Sequence, residues 1–368
     1  MPDPQSPAPS RLPGGPAGDP RPDLRDLSHE ELEALVGELG ESRFRADQLF
    51  RWIHSRGASS FEEMTDLGKD FRQRLGESSR LGTLEHLETV TSADGSAKLG
   101  FRTGDGRIVE SVLMPEDRKV SVCLSTQVGC GMGCAFCATA RLGLGRSLTA
   151  GEIVDQLYRI RAQMEATGDR RRISNIVYMG MGEPLANPKG TLRSLELLLH
   201  PLGASLSTRR ITVSTAGVIP GLELLAAAPH QVNLAISLNA TTQEVRARLM
   251  PIARQYPLDR LLGAVRAFPL EKRRRITWEY VLISGVNDSD EDARRLPRLI
   301  AGIPSKLNVI VFNPIDGCEL RAPRPERVEA FCEPARRAGY TVMLRQSRGA
   351  DVSAACGQLA GRLSVSQS

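Results

Sequence analysis

The chain has 368 residues, a formal net charge of +5 and 41% hydrophobic side chains. That is enough apolar material for one large domain and one small one, while the absence of a run of about 18 apolar residues excludes a membrane span and the opening lacks a secretory pattern, so a cytoplasmic protein is expected. Seven cysteines in so long a chain argue against a secreted disulfide framework, and four of them fall within fifteen residues, which points to metal or redox work.

Residues 1–27 are rich in Pro, Gly, Asp and Arg and are expected to be a disordered tail. Order is expected from Ser28, which forms a capping-box pattern with Glu31. Leu32, Leu35, Val36 and Leu39 follow at helical spacing, and Gly40 ends that helix. Ala46, Leu49, Phe50 and Ile53 predict a second helix. Phe61, Met64, Leu67, Phe71 and Leu75 predict a third. Residues 28–83 therefore read as a small helical accessory domain with basic faces, suited equally to docking RNA or to serving as a plain accessory bundle.

Residues 84–118 read as a β-hairpin extension, with a turn at Gly104–Gly106. Strand patterns then recur at 119–124, 173–179, 209–215, 231–238, 276–284 and 307–312. Helical patterns lie between them at 149–166, 190–200, 217–227, 242–249, 257–267 and 289–302. Such alternation means a parallel α/β sheet with crossover helices. Six units are too few for a closed eight-stranded barrel, so residues 119–318 are expected to form an open, partial (β/α)6 barrel. A strand at 339–346 and a helix at 351–361 are expected in the C-terminal segment, 319–368.

Only six of the 48 basic side chains are lysine. Arginines cluster at 170–172, 209–210, 273–275 and 294–295. Guanidinium groups suit bidentate phosphate contacts, although an arginine-biased solvated surface gives the same composition.

Cys130, Cys134 and Cys137 follow the strand at 119–124 in a Cys-x3-Cys-x2-Cys spacing. Three thiolates so close can hold three irons of a [4Fe–4S] cube and leave the fourth iron open. Structural zinc prefers four ligands in Cys-x2-Cys pairs, and no second pair follows. Met179–Pro184, Ser214–Gly217, Ser237–Asn239 and Asn313-Pro314 place small or polar groups at strand C-terminal ends, the rim where parallel sheets bind ligands. Cys318 and Cys332 read as inert thiols.

The loop with an aromatic before its last cysteine resembles the radical S-adenosylmethionine (SAM) superfamily. Further motifs narrow the resemblance. Leu148–Ile153, Tyr178–Pro184, Ser214–Gly217, Arg274–Tyr280, Gly285–Ser289, Phe312–Pro314 and Ala354–Leu359 together resemble the RlmN family of dual-specificity RNA methyltransferases. The resemblance implies a [4Fe–4S] cluster on Cys130, Cys134 and Cys137, and SAM contacts at Gly182, Glu183, Ser214, Ser237, Leu238, Asn239 and Asn313. It implies methylation of adenosine carbon 2 in large-subunit rRNA and tRNA, consuming two SAM molecules per turnover, with flavodoxin or ferredoxin as electron donor. Cys356 would carry the methyl group, Cys123 would release the product through a transient disulfide, and Glu110 would accept a proton. A carbon-8 methyltransferase of the Cfr type shares these motifs, and a catalytically idle iron–sulfur RNA-binding paralogue is the alternative from a different class. Asn239 stands where many members have His, and Ala253 and Ala350 also depart from the family pattern.

Overall fold

In the computed structural model, residues 19–345 and 347–361 are described. The tail expected at residues 1–18 lies outside the described residues. Over 19–27 the expectation of disorder is corrected: Leu24 and Leu27 are buried, and Leu24–Asp26 form a 3-10 turn. The cause is long-range. The Arg25 guanidinium makes a buried ion pair with Asp155 and donates to the Ala58 carbonyl at 2.7 Å.

Helix α1 (His29–Glu38) begins with the expected capping box. Ser28 Oγ accepts from the Glu31 N–H at 3.1 Å, and the Glu31 carboxylate accepts from the Ser28 N–H at 2.7 Å. Helix α2 (Arg43–Phe50) continues as a π-helical turn over Arg51–Arg56 and stops at Gly57. The third helix is shorter than expected: α3 covers Lys69–Ser78, and residues 59–68 are turns. Side chains there satisfy the backbone locally, as when Glu63 accepts from the Ser59 N–H at 3.3 Å. Glu31 pairs with Arg193 at 2.9 Å, and His54 Nδ1 meets the Tyr158 hydroxyl at 2.8 Å, which fastens this helical unit to the sheet domain.

Strands β1 (Glu85–Thr91), β2 (Ala97–Arg102) and β3 (Ile108–Pro115) form an antiparallel meander. β3 also pairs antiparallel with β4 (Lys119–Cys123), so the hairpin extension is continuous with the main sheet. A separate ribbon of β5 (Gln127–Gly129) and β6 (Leu144–Ser147) brackets the cysteine loop and the short helix α4 (Ala138–Arg141). The parallel part then proceeds through β7 (Arg172–Tyr178), β8 (Ile211–Thr215), β9 (Asn233–Ser237), β10 (Ile276–Leu282), β11 (Ser305–Val311) and β12 (Thr341–Arg345).

The crossover helices are α5 (Ala150–Ala166), α6 (Pro188–Leu199), α7 (Ile219–Ala227), α8 (Gln243–Leu249), α9 (Leu258–Ala267), α10 (Asp290–Leu299) and α11 (Pro325–Arg337). α11 was not expected from the sequence, and Pro334 lies inside it. The sheet order is β1-β2-β3-β4-β7-β8-β9-β10-β11-β12, parallel from β4 onward. The six predicted barrel strands are thus neighbours in chain order, and the predicted C-terminal strand adds a seventh. The order does not close on itself, which makes the barrel open.

The segment after β12 spans the opening. The Gly349 N–H donates to Asp94 at 2.9 Å, Ser92 Oγ donates to Asp351 at 2.5 Å, and the Ala360 and Gly361 N–H groups donate to Glu110. These partners lie in or beside β1, β2 and β3, at the opposite end of the strand order from β12. The helix expected at 351–361 is corrected to a 3-10 turn at Ala350–Val352 followed by irregular chain. Gly349, Ser353 and Gly357 adopt left-handed φ values of 66°, 52° and 83°, which interrupt helical geometry.

Candidate active site

The cysteine loop begins at Gly129, whose φ is +73°. A Cβ there would collide with the Gly143 carbonyl oxygen, so glycine is needed for β5 and β6 to close beneath the loop. Cys130, Cys134 and Cys137 then line one cavity of about 150 Å³. Glu183, Ser214, Ser237, Asn239 and Asn313 line it too, so the strand-end residues singled out in the sequence do converge. Leu238 is the exception. Its side chain is buried and outside the cavity lining, while its N–H donates to the Glu279 carbonyl at 2.9 Å.

The three thiols fit a cluster through their chemistry. Burial pushes Cys130 up to about 12, with the Glu183 and Cys137 charges adding to it. Cys134 is driven well up, first by burial, then by the charges of Cys137 and Cys130. Three thiolates so close repel one another without a cation between them, and iron reverses that sign. Gly182 supplies the cradle: its φ is +96°, and a Cβ there would lie 2.5 Å from the Gln127 side chain.

Glu183 is buried, and its two oxygens accept from the Leu185 and Ala216 N–H groups at 3.0 and 2.7 Å. Burial raises its affinity for a proton, and those hydrogen bonds oppose the shift. Ser214 Oγ donates to Glu279 at 2.7 Å. Asn239 sits at φ +58°, a conformation asparagine tolerates better than most residues. Its amide is held at both ends, accepting from the Val281 N–H at 2.7 Å and donating to the Met250 sulfur at 3.2 Å.

A second cavity, of about 70 Å³, contains Cys123 and Cys356 together with Arg345. Cys356, Cys137 and Asn313 line both cavities, so Cys356 stands in the partition between the cluster loop and Cys123. Its loop is pinned there. Asn313 Nδ2 donates to the Cys356 carbonyl at 3.1 Å, the Ala138 N–H donates to the Gly357 carbonyl at 2.6 Å, and Thr139 Oγ1 donates to the Leu359 carbonyl at 2.6 Å. Burial pushes the Cys123 thiol up to about 12; the Cys356 charge adds to that, and Arg345 opposes it. Cys356 is raised too, by burial, again against Arg345.

Sequence reasoning missed Arg345 and Glu279, which approach to 4.0 Å and link the cysteine cavity to the Ser214 side of the site. Arg345 ends β12, so the strand-end rule used for the other rims would have found it.

Glu110 is placed differently from the other site residues. It is buried in β3 and does not line either cavity. Oε1 pairs with Lys98 at 3.2 Å, and Oε2 accepts from the Ala360 and Gly361 N–H groups, each at 2.8 Å. It is therefore neither exposed nor idle, and it clamps the segment that carries Cys356.

Three of the four arginine clusters lie away from the cysteines. Arg170–Arg172, Arg209–Arg210 and Arg273–Arg275 precede or open β7, β8 and β10, at the rim opposite the cysteines. Arg274 is engaged internally with Thr208 at 2.7 Å and Glu271 at 2.8 Å.

Comparison with known proteins agrees with this geometry. Residues 22–81 match the family model described as the ribosomal RNA large subunit methyltransferase N-terminal domain, and residues 124–296 match the radical SAM superfamily. A dual-specificity RNA methyltransferase RlmN from Anaeromyxobacter dehalogenans is 49% identical over 93% of this chain and 92% of its own length. One from Geobacter sulfurreducens is 50% identical over 93% and 92%. This chain belongs to the RlmN family. A crystal structure of a radical SAM methyltransferase from Sphaerobacter thermophilus superposes with a TM-score of 0.88 at 42% identity, covering 93% of this chain and 100% of that one. The RlmN family N-terminal model begins at residue 22, in agreement with the ordered stretch that composition failed to identify. A [4Fe–4S] cluster and SAM are the cofactors of a radical SAM enzyme of the RlmN type, and the cysteine loop and the strand rims fit them.

Proposed function

We propose that this chain methylates carbon 2 of an adenosine in large-subunit rRNA and tRNA, with Cys356 as the methyl carrier and Cys123 as the releasing thiol. The observation that carries this reading is the position of Cys356 on the wall shared by the cluster cavity and the Cys123 cavity. A carrier must face the cofactor in one step and its resolving partner in another, and one residue in that partition can do both.

The cluster and SAM, when bound, supply a one-electron cleavage that yields a carbon radical able to take hydrogen from a methyl group. The protein supplies the rest. Cys130, Cys134 and Cys137 would hold the cluster. Gly182, Glu183, Ser214, Ser237, Asn239 and Asn313 would hold SAM beside it, with the Leu238 backbone behind them. Cys356 offers its sulfur to the methyl group of SAM by displacement. Once the methyl carbon has bonded to the adenine and the adduct has given up the ring proton and one electron, which the bound cluster would take back, Cys123 attacks the Cys356 sulfur: a disulfide forms, the sulfur–carbon bond to the RNA breaks with its electron pair on the carbon, and that carbon takes a proton to become the methyl group. Arg345 beside both thiols favours the thiolate that such exchange requires. Glu110 is held 2.8 Å from the chain just beyond Cys356, which suits a group that positions the carrier loop and accepts a proton when the loop shifts.

A flavodoxin or ferredoxin is the proposed electron donor, and the cytoplasm the proposed location. Among the described residues no helix is long and apolar enough to cross a membrane. The test is nucleoside mass spectrometry of rRNA and tRNA from a deletion strain with and without this gene. Restoration of 2-methyladenosine is expected. Appearance of 8-methyladenosine would make the chain a Cfr-type enzyme, and no methylated product would favour the idle paralogue.

A further inference from the structure

Arg246 holds two nitrogens whose N–H groups no described residue accepts. It lies within α8, completely buried. Its Nη2 donates to the Ala216 carbonyl at 2.7 Å and to the Ser237 carbonyl at 3.4 Å, which ties the ends of β8 and β9 together. Its Nε and Nη1 are buried without a hydrogen-bond partner. No carboxylate pairs with it among the described residues. A buried guanidinium with idle donors is expensive unless something accepts from it.

The helix that carries Arg246 reaches the cysteine loop beside Cys134, where the Leu249 carbonyl accepts from the Ala135 N–H at 2.9 Å. Burial pulls the guanidinium down to about 10, and Cys134 pushes it back up. The effect is mutual, because Arg246 opposes the rise of the Cys134 thiol. Ala216, which Nη2 holds, also belongs to the apolar group against which Cys134 and Phe136 pack. Two buried donor nitrogens and one fixed charge therefore lie on the helix that abuts the loop at Cys134.

We propose that Arg246 is a positioning residue for the iron–sulfur cluster, donating its Nε–H and Nη1–H to sulfur at the Cys134 corner and raising the cluster's reduction potential. This rests on Cys130, Cys134 and Cys137 being the cluster ligands. Reduction adds negative charge to the cluster. A cation and N–H···S bonds stabilise the reduced form more than the oxidised one, so they move the potential upward.

The test uses the full chain, reconstituted anaerobically, as parent, Arg246→Met and Arg246→Lys. Iron and sulfide content is measured first, then the midpoint potential by a titration followed by electron paramagnetic resonance. Arg246→Met is expected to keep its iron but hold about tenfold fewer reduced clusters at a fixed potential, a fall of about 59 mV for one electron. Arg246→Lys keeps the charge without the fork, so its midpoint should fall less. An Arg246→Met protein with full iron and the parental midpoint would overturn the proposal. Should that variant lose its cluster, the parent decides: grown on 15N-arginine and reduced, it should show hyperfine coupling from a guanidinium nitrogen, and the absence of coupling would overturn the proposal equally. A parent that takes up no iron would instead remove the cluster assignment itself.

Discussion

Removing Glu110 should loosen the segment that carries Cys356. Oε2 accepts two N–H groups, from Ala360 and Gly361, each at 2.8 Å. Hydrogen bonds to a charged acceptor are worth ~1.5–3 kcal/mol each, so the pair contributes roughly 3–6 kcal/mol before solvent is considered. Both residues are half-buried, and water takes back part of that. A remainder of about 2 kcal/mol is roughly thirtyfold in the equilibrium for local opening. Lys98 complicates a single substitution, because Glu110→Ala leaves an ammonium that is 11% exposed without its partner. Breaking a buried pair in that way costs about 3–5 kcal/mol across the whole domain. The clean comparison is therefore the parent against Lys98→Met with Glu110→Ala, which removes both charges together. Amide hydrogen exchange over 347–361 should run roughly thirtyfold faster in the double variant, with sheet peptides unchanged. Equal exchange in the two proteins would refute the clamp. Glu110→Gln adds a second axis: the amide oxygen still accepts from both N–H groups but takes no proton. Slow exchange with lost turnover would separate proton transfer from clamping.

Three further outcomes follow from the site and the seam. Cys356→Ala should retain the visible absorbance of the cluster yet accept no methyl group from labelled SAM, whereas Cys123→Ala should load a methyl on Cys356 and accumulate as a covalent RNA adduct on a denaturing gel; turnover by either variant refutes the two-thiol scheme. His54 is fully buried and its affinity for a proton is pushed down to about 3 by burial, with Arg25 and His200 adding to the shift. The unfolded state therefore binds the extra proton below pH ~6.5, and stability should be lost as pH falls from there, by roughly 2 kcal/mol at pH 5. Urea unfolding of His54→Gln should lack that share of the pH slope, and parallel slopes for parent and variant would contradict it. Finally, Arg273→Gln with Arg275→Gln should leave the salt dependence of RNA binding unchanged, because both residues lie at the rim away from the cysteines; a slope of log K against log salt reduced by ~0.7 or more per residue would place RNA on that rim after all.

What was legible in the sequence was whatever is local in the chain. The proposed cluster cysteines lie within eight residues, so their spacing alone constrains the metal they could hold. Strand ends are local too, and the parallel order converts them into one rim without any knowledge of contacts. The capping box at Ser28 and the six barrel strands belong to the same class of signal. Arg25 does not. Its burial depends on Asp155, and nothing in the surrounding Pro- and Arg-rich stretch distinguishes it from a solvated arginine. The C-terminal segment failed for a related reason. Val352, Ala355 and Leu359 have an apolar spacing that a helix would also produce. In the structure their backbone neighbours are satisfied by Asn313, Thr139, Ala138 and Glu110, drawn from three distant parts of the chain.

The same distinction bears on the arginine clusters. Composition reports how many guanidinium groups a chain has but not which rim they face. In a parallel sheet, residues before a strand and residues after it lie on opposite sides. β10 is seven residues long, or about 23 Å at ~3.3 Å per residue, so Arg273–Arg275 and the residues after Leu282 are that far apart although both flank one strand. Arg345 and Arg246 show the complementary case. Neither stands in a run of adjacent arginines: Arg248 lies two residues after Arg246 and Arg348 three after Arg345. Arg345 ends a strand on the cysteine rim, and Arg246 lies in the helix that follows β9 there. For a parallel α/β enzyme, the side of the strand on which a basic residue falls is thus a better guide to its part in the chemistry than the size of the cluster it belongs to.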